Sequence, residues 1–324
     1  MKAITFDQPG TYKVLKISEI EPPLPSQNQI LIKVESAGIN RPDIVQREGN
    51  YPPPKGHSTI LGLEVSGYVE KVGKNVKDFS VGDKVAALVN GGGYAEYCIA
   101  ENKSTFHIPG DLSFDEAACI PECFFTVWSN MVMRGKLKKK QKILIHGGTS
   151  GIGLAAIQVA KIFNSLVITT VGNNEKVLFC ENLGVDKVIN YKEQDFFDEI
   201  KRSNIGEVDL ILDYIGGDYI SKNLNLLNTD GSLVNIGFMR GSKSELNLMK
   251  VMLKRLNITG STLRIRDNKF KGRVLNELKK FVFPLLIKRE IKCYIDSSFD
   301  LKNAGDAHKR LDEGKHIGKI VLKT

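Results

Sequence analysis

The spacing of apolar residues divides the chain into two patterns that meet between residues 120 and 142. In the first part, short segments of alternating apolar and polar residues are separated by turn clusters such as Pro52-Pro53-Pro54 and Gly91-Gly92-Gly93. Alternation with a period of two between turn residues is typical of β-strands. The first part therefore predicts an irregular, barrel-like β domain, with strands at residues 30–35, 63–72, 83–88 and 94–100.

From about residue 142 onward, short apolar segments alternate with segments of helical periodicity. The helical segments include residues 152–163 and 175–183, and Gly184 directly after the second one is a typical helix C-cap. Apolar strands with helical crossovers form a parallel sheet that is buried on both faces. The pattern predicts an α/β, doubly wound, dinucleotide-binding fold with strands at residues 143–146, 166–171, 187–190, 210–214, 232–236 and 258–263.

The last part of the chain does not extend this repeat. Beyond residue 267 the pattern predicts a helix, a strand near residues 293–295, another helix and a final strand at residues 319–322. We expect this part to return to the first domain. The predicted domains are a β domain of residues 1–121 and 268–324, and a dinucleotide-binding domain of residues 122–267.

A glycine-rich turn follows the first of the apolar strands. Residues 142–157 read KILIHGGTSGIGLAAI, so that a strand runs directly into the glycines and a helix begins at once. Glycines permit a tight turn, backbone amides can approach a pyrophosphate there, and the helix N-terminus favours negative charge. The turn predicts a dinucleotide site with these binding residues: Gly148, Thr149, Ser150, Gly151, Ile152 and Gly153.

The end of the second strand bears on the choice between NAD and NADPH. An NAD enzyme usually places Asp or Glu there, where the carboxylate accepts a hydrogen bond from the ribose 2′-hydroxyl. Here Gly172 and Asn173 follow the strand without an acid, and Lys176 lies one turn into the next helix. Glu175 is expected in the first turn of that helix rather than at the strand end. An amide donor and a lysine suit a 2′-phosphate, so the sequence favours NADPH.

Several segments resemble the medium-chain dehydrogenase/reductase superfamily. Residues 62–73 (GLEVSGYVEKVG) are similar to its N-terminal, GroES-like domain. Further segments resemble the zinc-free quinone oxidoreductase family, in the branch of the tumour-suppressor-induced NADPH quinone oxidoreductase: residues 40–43 (NRPD), 46–54 (QREGNYPPP), 215–217 (IGG), 263–269 (LRIRDNK) and 317–322 (IGKIVL). The ζ-crystallin branch usually has small residues and two adjacent glycines where this chain has residues 148–151 (GTSG). The resemblance covers essentially the whole chain and implies a Rossmann domain with a GroES-like β-barrel domain.

Zinc-dependent members of the superfamily hold a catalytic metal with cysteine, histidine and a second cysteine or aspartate. The resemblance places Ile39 and Asn40 at the first of these positions and Leu63 at the histidine. Neither isoleucine nor leucine can bind zinc, and residues 90–94 (NGGGY) stand where the four-cysteine structural lobe would be. The sequence therefore predicts that no catalytic zinc site can be assembled.

The resemblance also implies which side chains form the site. Asn40, Asp43 and Tyr51 are the expected catalytic residues: Asn40 as a donor to a quinone oxygen or the nicotinamide ribose, and Asp43 as a residue that fixes the loop. Tyr51 has two open interpretations, a proton donor or a wall that orders the cofactor. Expected cofactor contacts besides the glycine turn are Asn40, Tyr51, Thr126, Tyr191, Ile215, Gly237, Phe238, Met239 and Leu263. Simpler structural roles stay open for Tyr191, as a cap on the sheet, and for Phe238, as a core residue.

Charge and composition exclude some other classes. The net charge of +9 is spread along the chain, and its one dense basic run, residues 136–142, precedes a predicted strand as a solvated loop would. No apolar run reaches the roughly 18 residues of a membrane span, and the N-terminus lacks the apolar run of a secretory signal. The five cysteines include no CxxC pair and suit buried, reduced thiols. We therefore expect a cytoplasmic protein.

The expected activity is NADPH-dependent, metal-free hydride transfer to a quinone, because a quinone accepts hydride with little more help than positioning. The first alternative is an alkenal or enoyl reductase, which delivers hydride to a conjugated C=C bond. The second is an RNA-binding or structural protein that keeps the cofactor fold, although the intact glycine turn and the lack of basic–aromatic strips count against it.

We also expect a homodimer through residues 257–263. In the strand order 3-2-1-4-5-6 the sixth strand lies at the sheet edge, and proteins usually pair or cover such an edge. Pairing the same strand of two chains about a twofold axis would satisfy both edges. The alternative is that the helix after Lys269 covers this edge within one chain.

Overall fold

A computed structural model describes all 324 residues as two compact units. The first unit contains Met1–Phe125 and Leu263–Thr324, and the second contains Thr126–Thr262. The boundaries therefore fall at residues 125/126 and 262/263, against 121/122 and 267/268 in the sequence-based prediction. The first boundary lies inside the helix Pro121–Val127, so no turn residue marks it in the sequence.

The chain contains fifteen strands and eleven α-helices. The strands are β1 Lys2–Thr5, β2 Lys16–Glu19, β3 Gln29–Ile39, β4 Glu64–Val72, β5 Lys84–Leu88, β6 Tyr97–Glu101, β7 Thr105–His107, β8 Lys142–His146, β9 Leu166–Val171, β10 Lys187–Asn190, β11 Val208–Asp213, β12 Leu227–Asn235, β13 Asn257–Gly260, β14 Ile295–Asp300 and β15 Lys319–Lys323. The helices are α1 Arg41–Arg47, α2 Phe114–Ala117, α3 Pro121–Val127, α4 Gly151–Ile162, α5 Asn174–Asn182, α6 Phe196–Arg202, α7 Tyr219–Leu226, α8 Leu248–Leu253, α9 Asn268–Phe281, α10 Phe283–Ile287 and α11 Ala304–Asp312. A π-helical segment, Trp128–Arg134, follows α3.

The first unit is organised around the long strand β3. This strand pairs with β4, β6 and β15 in a sheet of order β14-β15-β3-β4-β5-β7, and β1 and β2 form a separate pair. Its apolar side chains, including Ile30, Ile32 and Val34, pack in one core with Ala304, Ala307 and Leu311 from the C-terminal part. The C-terminal segment therefore returns to the first unit, as expected.

The second unit is a parallel sheet of order β10-β9-β8-β11-β12-β13, which corresponds to the expected 3-2-1-4-5-6. Apolar residues of the central strands, such as Ile168 and Leu144, are fully buried because helices cover both faces of such a sheet. Gly184 has a φ of +77° directly after the last residue of α5 and its C-cap, as the C-cap prediction requires. The predicted α/β class, the doubly wound sheet of the second unit and the β-rich first unit are confirmed.

Several predicted strand limits were wrong. The sixth strand of the parallel sheet ends at Gly260 instead of residue 263: Ser261 still donates its amide to the Asn235 carbonyl of β12, and the chain passes to the first unit at Leu263. The strand predicted near residues 293–295 begins only at Ile295 and continues to Asp300. Strand β12 begins at Leu227, five residues before the predicted start, across the polar segment 228–231. None of the helices combines the length and the apolar character that crossing a bilayer requires.

Candidate functional site

The turn between β8 and α4 leaves no room for side chains on its glycines. Gly147 has a φ of +69°, a conformation that favours glycine. A Cβ on Gly148 would lie 2.3 Å from Thr169 Oγ1, and a Cβ on Gly153 would lie 2.3 Å from the Gly147 carbonyl oxygen. The glycines therefore let the turn pack closely against β9 and against its own backbone.

The first turn of α4 offers backbone donors. Ser150 is the N-cap, and its Oγ accepts a hydrogen bond from the Gly153 amide at 2.9 Å and donates to the Gly147 carbonyl at 2.9 Å. The amides of Gly151 and Ile152, the first two residues of the helix, make no intrahelical hydrogen bond. These amides and the positive end of a twelve-residue helix fit the pyrophosphate of a dinucleotide.

Tyr214, which the sequence did not single out as a site residue, supports this turn from the neighbouring strand. Its hydroxyl donates to the Gly147 carbonyl at 3.2 Å, and a Cβ on Gly147 would lie 1.5 Å from that hydroxyl. Asp213, the last residue of β11, accepts hydrogen bonds from the Ile215 amide at 2.7 Å and from Asn235 Nδ2 at 3.0 Å. The contact between Tyr214 and Gly147 joins residues far apart in the sequence, so no local motif could have indicated it.

The end of β9 carries no acid, as expected. Asn173 is the N-cap of α5, where its Oδ1 accepts a hydrogen bond from the Lys176 amide at 2.9 Å. Glu175 lies in the first turn of α5, as predicted. Lys176 is only 8% exposed, so it differs from the many solvated lysines of this basic chain. A buried lysine beside an amide side chain retains the features that favour a 2′-phosphate.

The other expected cofactor contacts of the second unit lie at the carboxyl ends of its strands. Tyr191 and Gly237 follow β10 and β12, and a Cβ on Gly172 after β9 would lie 2.8 Å from the Tyr191 hydroxyl. Phe238 and Met239 are exposed, so Phe238 is no core residue. Thr126 is buried in the second unit, whereas Leu263 is buried in the first.

A buried polar network surrounds Asn40 in the first unit. Lys319 Nζ donates to the Ile39 carbonyl at 2.7 Å and to Asn40 Oδ1 at 2.6 Å, and it forms an ion pair with Glu64 Oε1 at 2.7 Å. Burial lowers the pKa of Lys319, but the Glu64 carboxylate, together with Cys123 and Cys119, more than offsets this and raises the pKa above its ordinary value. Glu64 Oε2 also accepts from the Glu122 amide at 2.8 Å. Lys319 and Glu64 are the centre of this network, and the sequence analysis did not predict their contact.

The hydrogen bonds to Lys319 and Glu64 also hold the side chain of Asn40. Its Nδ2 donates to Glu64 Oε1 at 2.8 Å and, weakly, to the Gly38 carbonyl at 3.4 Å. Both amide hydrogens are thus directed at acceptors of the chain itself, while the amide oxygen accepts from Lys319. The side chain of Asn40 is therefore held within the interior network, and its expected role as a donor to a substrate oxygen stays a prediction.

Asp43 fixes the loop around the start of α1. Its carboxylate accepts from the Asn40 amide at 2.8 Å, the Gly62 amide at 3.0 Å and the Tyr94 hydroxyl at 3.1 Å. Burial raises the pKa of Asp43 to about 6, although these hydrogen bonds oppose the shift. All three donors belong to the chain, so Asp43 holds the backbone in place.

Tyr51 lies in the loop after α1 and is half-buried. The guanidinium carbon of Arg264 is 5.4 Å from the centroid of its ring, within the range of a cation–π contact. Burial, together with the charge of Glu122, raises the pKa of the Tyr51 phenol, so the hydroxyl keeps its proton at neutral pH. Tyr51 is thus the one predicted catalytic side chain whose polar group is not committed to the interior network.

The positions expected for metal ligands hold other groups. Asn40 is bonded to Lys319 and Glu64, and Leu63 is a buried apolar residue. No group of three or more His, Cys, Asp or Glu side chains is arranged to hold a metal ion.

Comparison with known proteins shows the family of this chain. Residues 26–114 match the alcohol dehydrogenase GroES-like domain, and residues 151–280 match the zinc-binding dehydrogenase family. The quinone oxidoreductase of Sus scrofa is 34% identical over 330 residues, which cover 99% of this chain and 97% of that protein. That of Lama guanicoe is 32% identical over 332 residues, with 99% and 97% covered. The chain belongs to the quinone oxidoreductase family.

This member of the quinone oxidoreductase family shares its fold with solved structures. The Escherichia coli quinone oxidoreductase complexed with NADPH superposes with a TM-score of 0.88 at 29% identity, over 100% of each chain. Family membership makes the chain an oxidoreductase of the medium-chain dehydrogenase/reductase type and confirms the expected resemblance.

Proposed function

We propose that this member of the quinone oxidoreductase family uses NADPH to reduce a quinone without a metal ion, and that it acts in the cytoplasm. The observation that carries the proposal is the turn before α4, where the amides of Gly151 and Ile152 make no intrahelical hydrogen bond at the positive end of the helix. The lack of an acid after β9 and the burial of Lys176 support NADPH over NADH. The five cysteines form no disulfide, in keeping with a reducing compartment.

The bound cofactor would supply the hydride, and the chain would supply position and hydrogen bonds. Gly151 and Ile152 offer their amides to the pyrophosphate, and Lys176 and Asn173 suit the 2′-phosphate. Tyr51 offers a neutral phenol that can donate to the oxygen of a quinone as negative charge develops on it. Asn40 and Asp43 keep the surrounding loop in one conformation.

The proposal is tested by NADPH oxidation with 9,10-phenanthrenequinone, compared with a crotonyl thioester and alkenals under the same conditions. We expect the largest kcat/KM with the quinone. Faster reduction of the alkenals or the crotonyl thioester, with little activity on the quinone, would show that the chain is a C=C reductase instead.

Lys176→Glu should weaken NADPH binding by about 1–3 kcal/mol, because a charge-assisted contact is replaced by repulsion of the 2′-phosphate. The Kd of NADH, which lacks this phosphate, should change little. Fluorescence titration of both cofactors gives the two values, with Lys139→Glu as a control because that lysine is exposed in the same unit. Equal or tighter binding of NADH to the unmodified protein would contradict the cofactor assignment.

The purified protein should contain no stoichiometric zinc, because Leu63 cannot bind the metal and Asn40 is held by Lys319 and Glu64. Dialysis against a chelator should leave the rate of quinone reduction unchanged. Metal analysis by mass spectrometry checks this, and one tightly bound zinc per chain would overturn the expectation.

We also propose a homodimer that pairs strand β13 of two chains. This strand is the edge of the parallel sheet, and Asn257, Ile258 and Gly260 are exposed along it. The helix α8, which precedes β13, adds an exposed apolar surface of Leu248, Met249, Met252 and Leu253. Exposed apolar side chains beside an open strand edge are typical of an interface.

Ile258→Pro should convert the dimer to a monomer. Ser261 donates its amide to the Asn235 carbonyl of β12, so by alternation the Thr259 amide faces β12 and the Ile258 amide faces the open edge. Proline at residue 258 removes a donor of the edge without breaking the existing ladder. Light scattering at micromolar concentration checks this, with Ile258→Thr as a control that keeps the amide. A monomeric unmodified protein would refute the dimer.

A further inference from the structure

Two cations in the interior of the first unit have no acid partner. Arg264 is 6% exposed and Lys271 is 2% exposed, and no carboxylate oxygen lies within 4.0 Å of either charged group. Burying an unpaired charge is costly, so buried arginine and lysine are usually paired. Both residues lie in or next to the segment 263–269, which the resemblance singled out and in which only Leu263 is an expected cofactor contact.

Neutral oxygens hold both cations in place. Arg264 donates through Nη1 to Gln46 Oε1 at 2.8 Å, and through Nε and Nη2 to the Asn90 carbonyl at 3.0 and 2.7 Å. Lys271 Nζ donates to Asn90 Oδ1 at 2.7 Å and to the Arg264 carbonyl at 3.1 Å. A guanidinium has five N–H groups and an ammonium has three, so each cation keeps donor capacity after these bonds are made.

The nearby acids compensate these charges only in part, because none of their oxygens lies within 4.0 Å of either cation. Burial, with the charge of Glu64, raises the pKa of Glu122 to about 8, so its carboxyl is mostly uncharged at pH 7. Glu101 is bonded to Gln29 Nε2 at 2.7 Å and to Asn268 Nδ2 at 2.8 Å. Burial lowers the pKa of Lys271 to about 8, which still leaves most of it protonated at pH 7.

Arg264, one of the two cations, lies beside Tyr51, the residue proposed to donate to the quinone. The Arg264 guanidinium lies 5.4 Å from the ring centroid of Tyr51, which is half-buried. His57 is exposed, and its Nδ1 lies 3.4 Å from the side-chain nitrogen of Asn90. A Cβ on Gly91 would lie 2.7 Å from the Ser58 carbonyl oxygen and 3.3 Å from Arg264 Nη2, so the Gly91 backbone packs closely beside the guanidinium. Partial burial, with the charges of Lys271 and Arg264, lowers the pKa of the exposed His57, so the positive field of both cations reaches the surface at this point.

We infer that Arg264 and Lys271 form a subsite for an anionic group of the substrate, so that the favoured acceptors are carbonyl compounds, quinones among them, that carry a carboxylate or sulfonate. This inference rests on the proposed function, because it assigns the substrate class of the same site. Arg264 suits a carboxylate or sulfonate because its planar N–H groups can contact two oxygens at once. Lys271 adds a second charge that does not depend on that geometry.

Binding of a redox-inert pair of probes tests the subsite without turnover. 2-Naphthalenesulfonate and 2-naphthalenesulfonamide have nearly the same shape and differ in charge. Calorimetric titration at saturating NADP⁺ should show the sulfonate binding about tenfold more tightly, or more, as expected for one charge-assisted contact. Arg264→Met and Lys271→Met should each reduce this preference to about twofold or less, with the Kd of the sulfonamide nearly unchanged.

Lys269→Met is the matched control, because it removes an exposed positive charge from the same helix and should keep the preference. Thermal unfolding separates a binding role from a structural one. Lys271→Met should unfold at the same or a higher temperature than the unmodified protein, since it removes a buried charge that lacks a counter-ion. A large loss of stability with the sulfonate preference retained would assign Lys271 to the scaffold and overturn the proposal.

The comparison of the two probes on the unmodified protein remains decisive if a variant does not fold. Equal affinity for the two probes, or loss of sulfonate binding when NADP⁺ is added, would overturn the substrate subsite. A turnover arm compares 9,10-phenanthrenequinone with its 3-sulfonate, and the sulfonate should have the higher kcat/KM in the unmodified protein alone. A sulfonate preference in binding without any quinone turnover would refute the proposed function and retain the subsite.

Discussion

Lys319→Met is expected to lower the free energy of unfolding by about 3–5 kcal/mol, the range found when one partner of a buried ion pair is removed. The substitution leaves the carboxylate of Glu64, which is 0% exposed, without its counter-ion. It also removes the donor to the Ile39 carbonyl and to Asn40 Oδ1. Urea unfolding followed by far-UV circular dichroism measures the change.

Lys323→Met is the matched control for this experiment. Lys323 lies on the same strand, and its ion pair with Asp115 is partly solvated at 3.0 Å. Removing such a pair should cost at most about 1 kcal/mol. The only tryptophan, Trp128, belongs to the second unit, so its fluorescence follows that unit separately. Similar losses of unfolding free energy for the two lysine variants would show that the buried ion pair stabilises the fold no more than a surface pair does.

Gly153→Val should weaken NADPH binding at least about a hundredfold, equivalent to about 2.7 kcal/mol. The new Cβ would lie 2.3 Å from the Gly147 carbonyl oxygen, which is backbone and cannot rotate away. The start of α4 must therefore move from the turn, and its free amides move with it. Fluorescence titration measures the Kd, and circular dichroism checks that the fold is retained.

Ser150→Ala is a milder change in the same turn, and its NADPH binding is compared with that of Gly153→Val. It removes the side-chain cap of α4 and should cost about 1 kcal/mol of stability while leaving the turn open. NADPH should still bind to this variant with a small change in Kd. Tight NADPH binding by a folded Gly153→Val protein would show that the glycine turn is not where the cofactor binds.

The features that could be predicted from the sequence rest on local patterns. The strand order of the second unit follows from alternating apolar strands and helices, and Gly184 marks the end of α5 because its conformation favours glycine. The glycine turn was likewise evident, because the strand, the four glycines and the helix are contiguous.

The interior of the first unit could not be predicted in this way. Lys319 and Glu64 are far apart in the sequence, and a lysine in an apolar strand does not indicate which acid it contacts. Asn40 Nδ2 donates to the same carboxylate, a contact that the motif alone does not indicate. Arg264 and Lys271 show the same limit, because only the folded chain reveals that they are buried without an acid.

The position of β15 has a consequence for how the protein is made. This strand leaves the ribosome after the other fourteen strands, yet it lies between β14 and β3 within the sheet of the first unit. Until β15 is synthesised, residues Ser36 to Ile39 of β3 have no partner strand on that side. An unpaired strand edge can associate with other chains. The second unit has all its residues by Thr262 and can fold earlier. A nascent chain that stalls before β15 emerges would therefore carry a finished nucleotide-binding unit and an incomplete, aggregation-prone β domain, which is a target for chaperones and quality-control proteases.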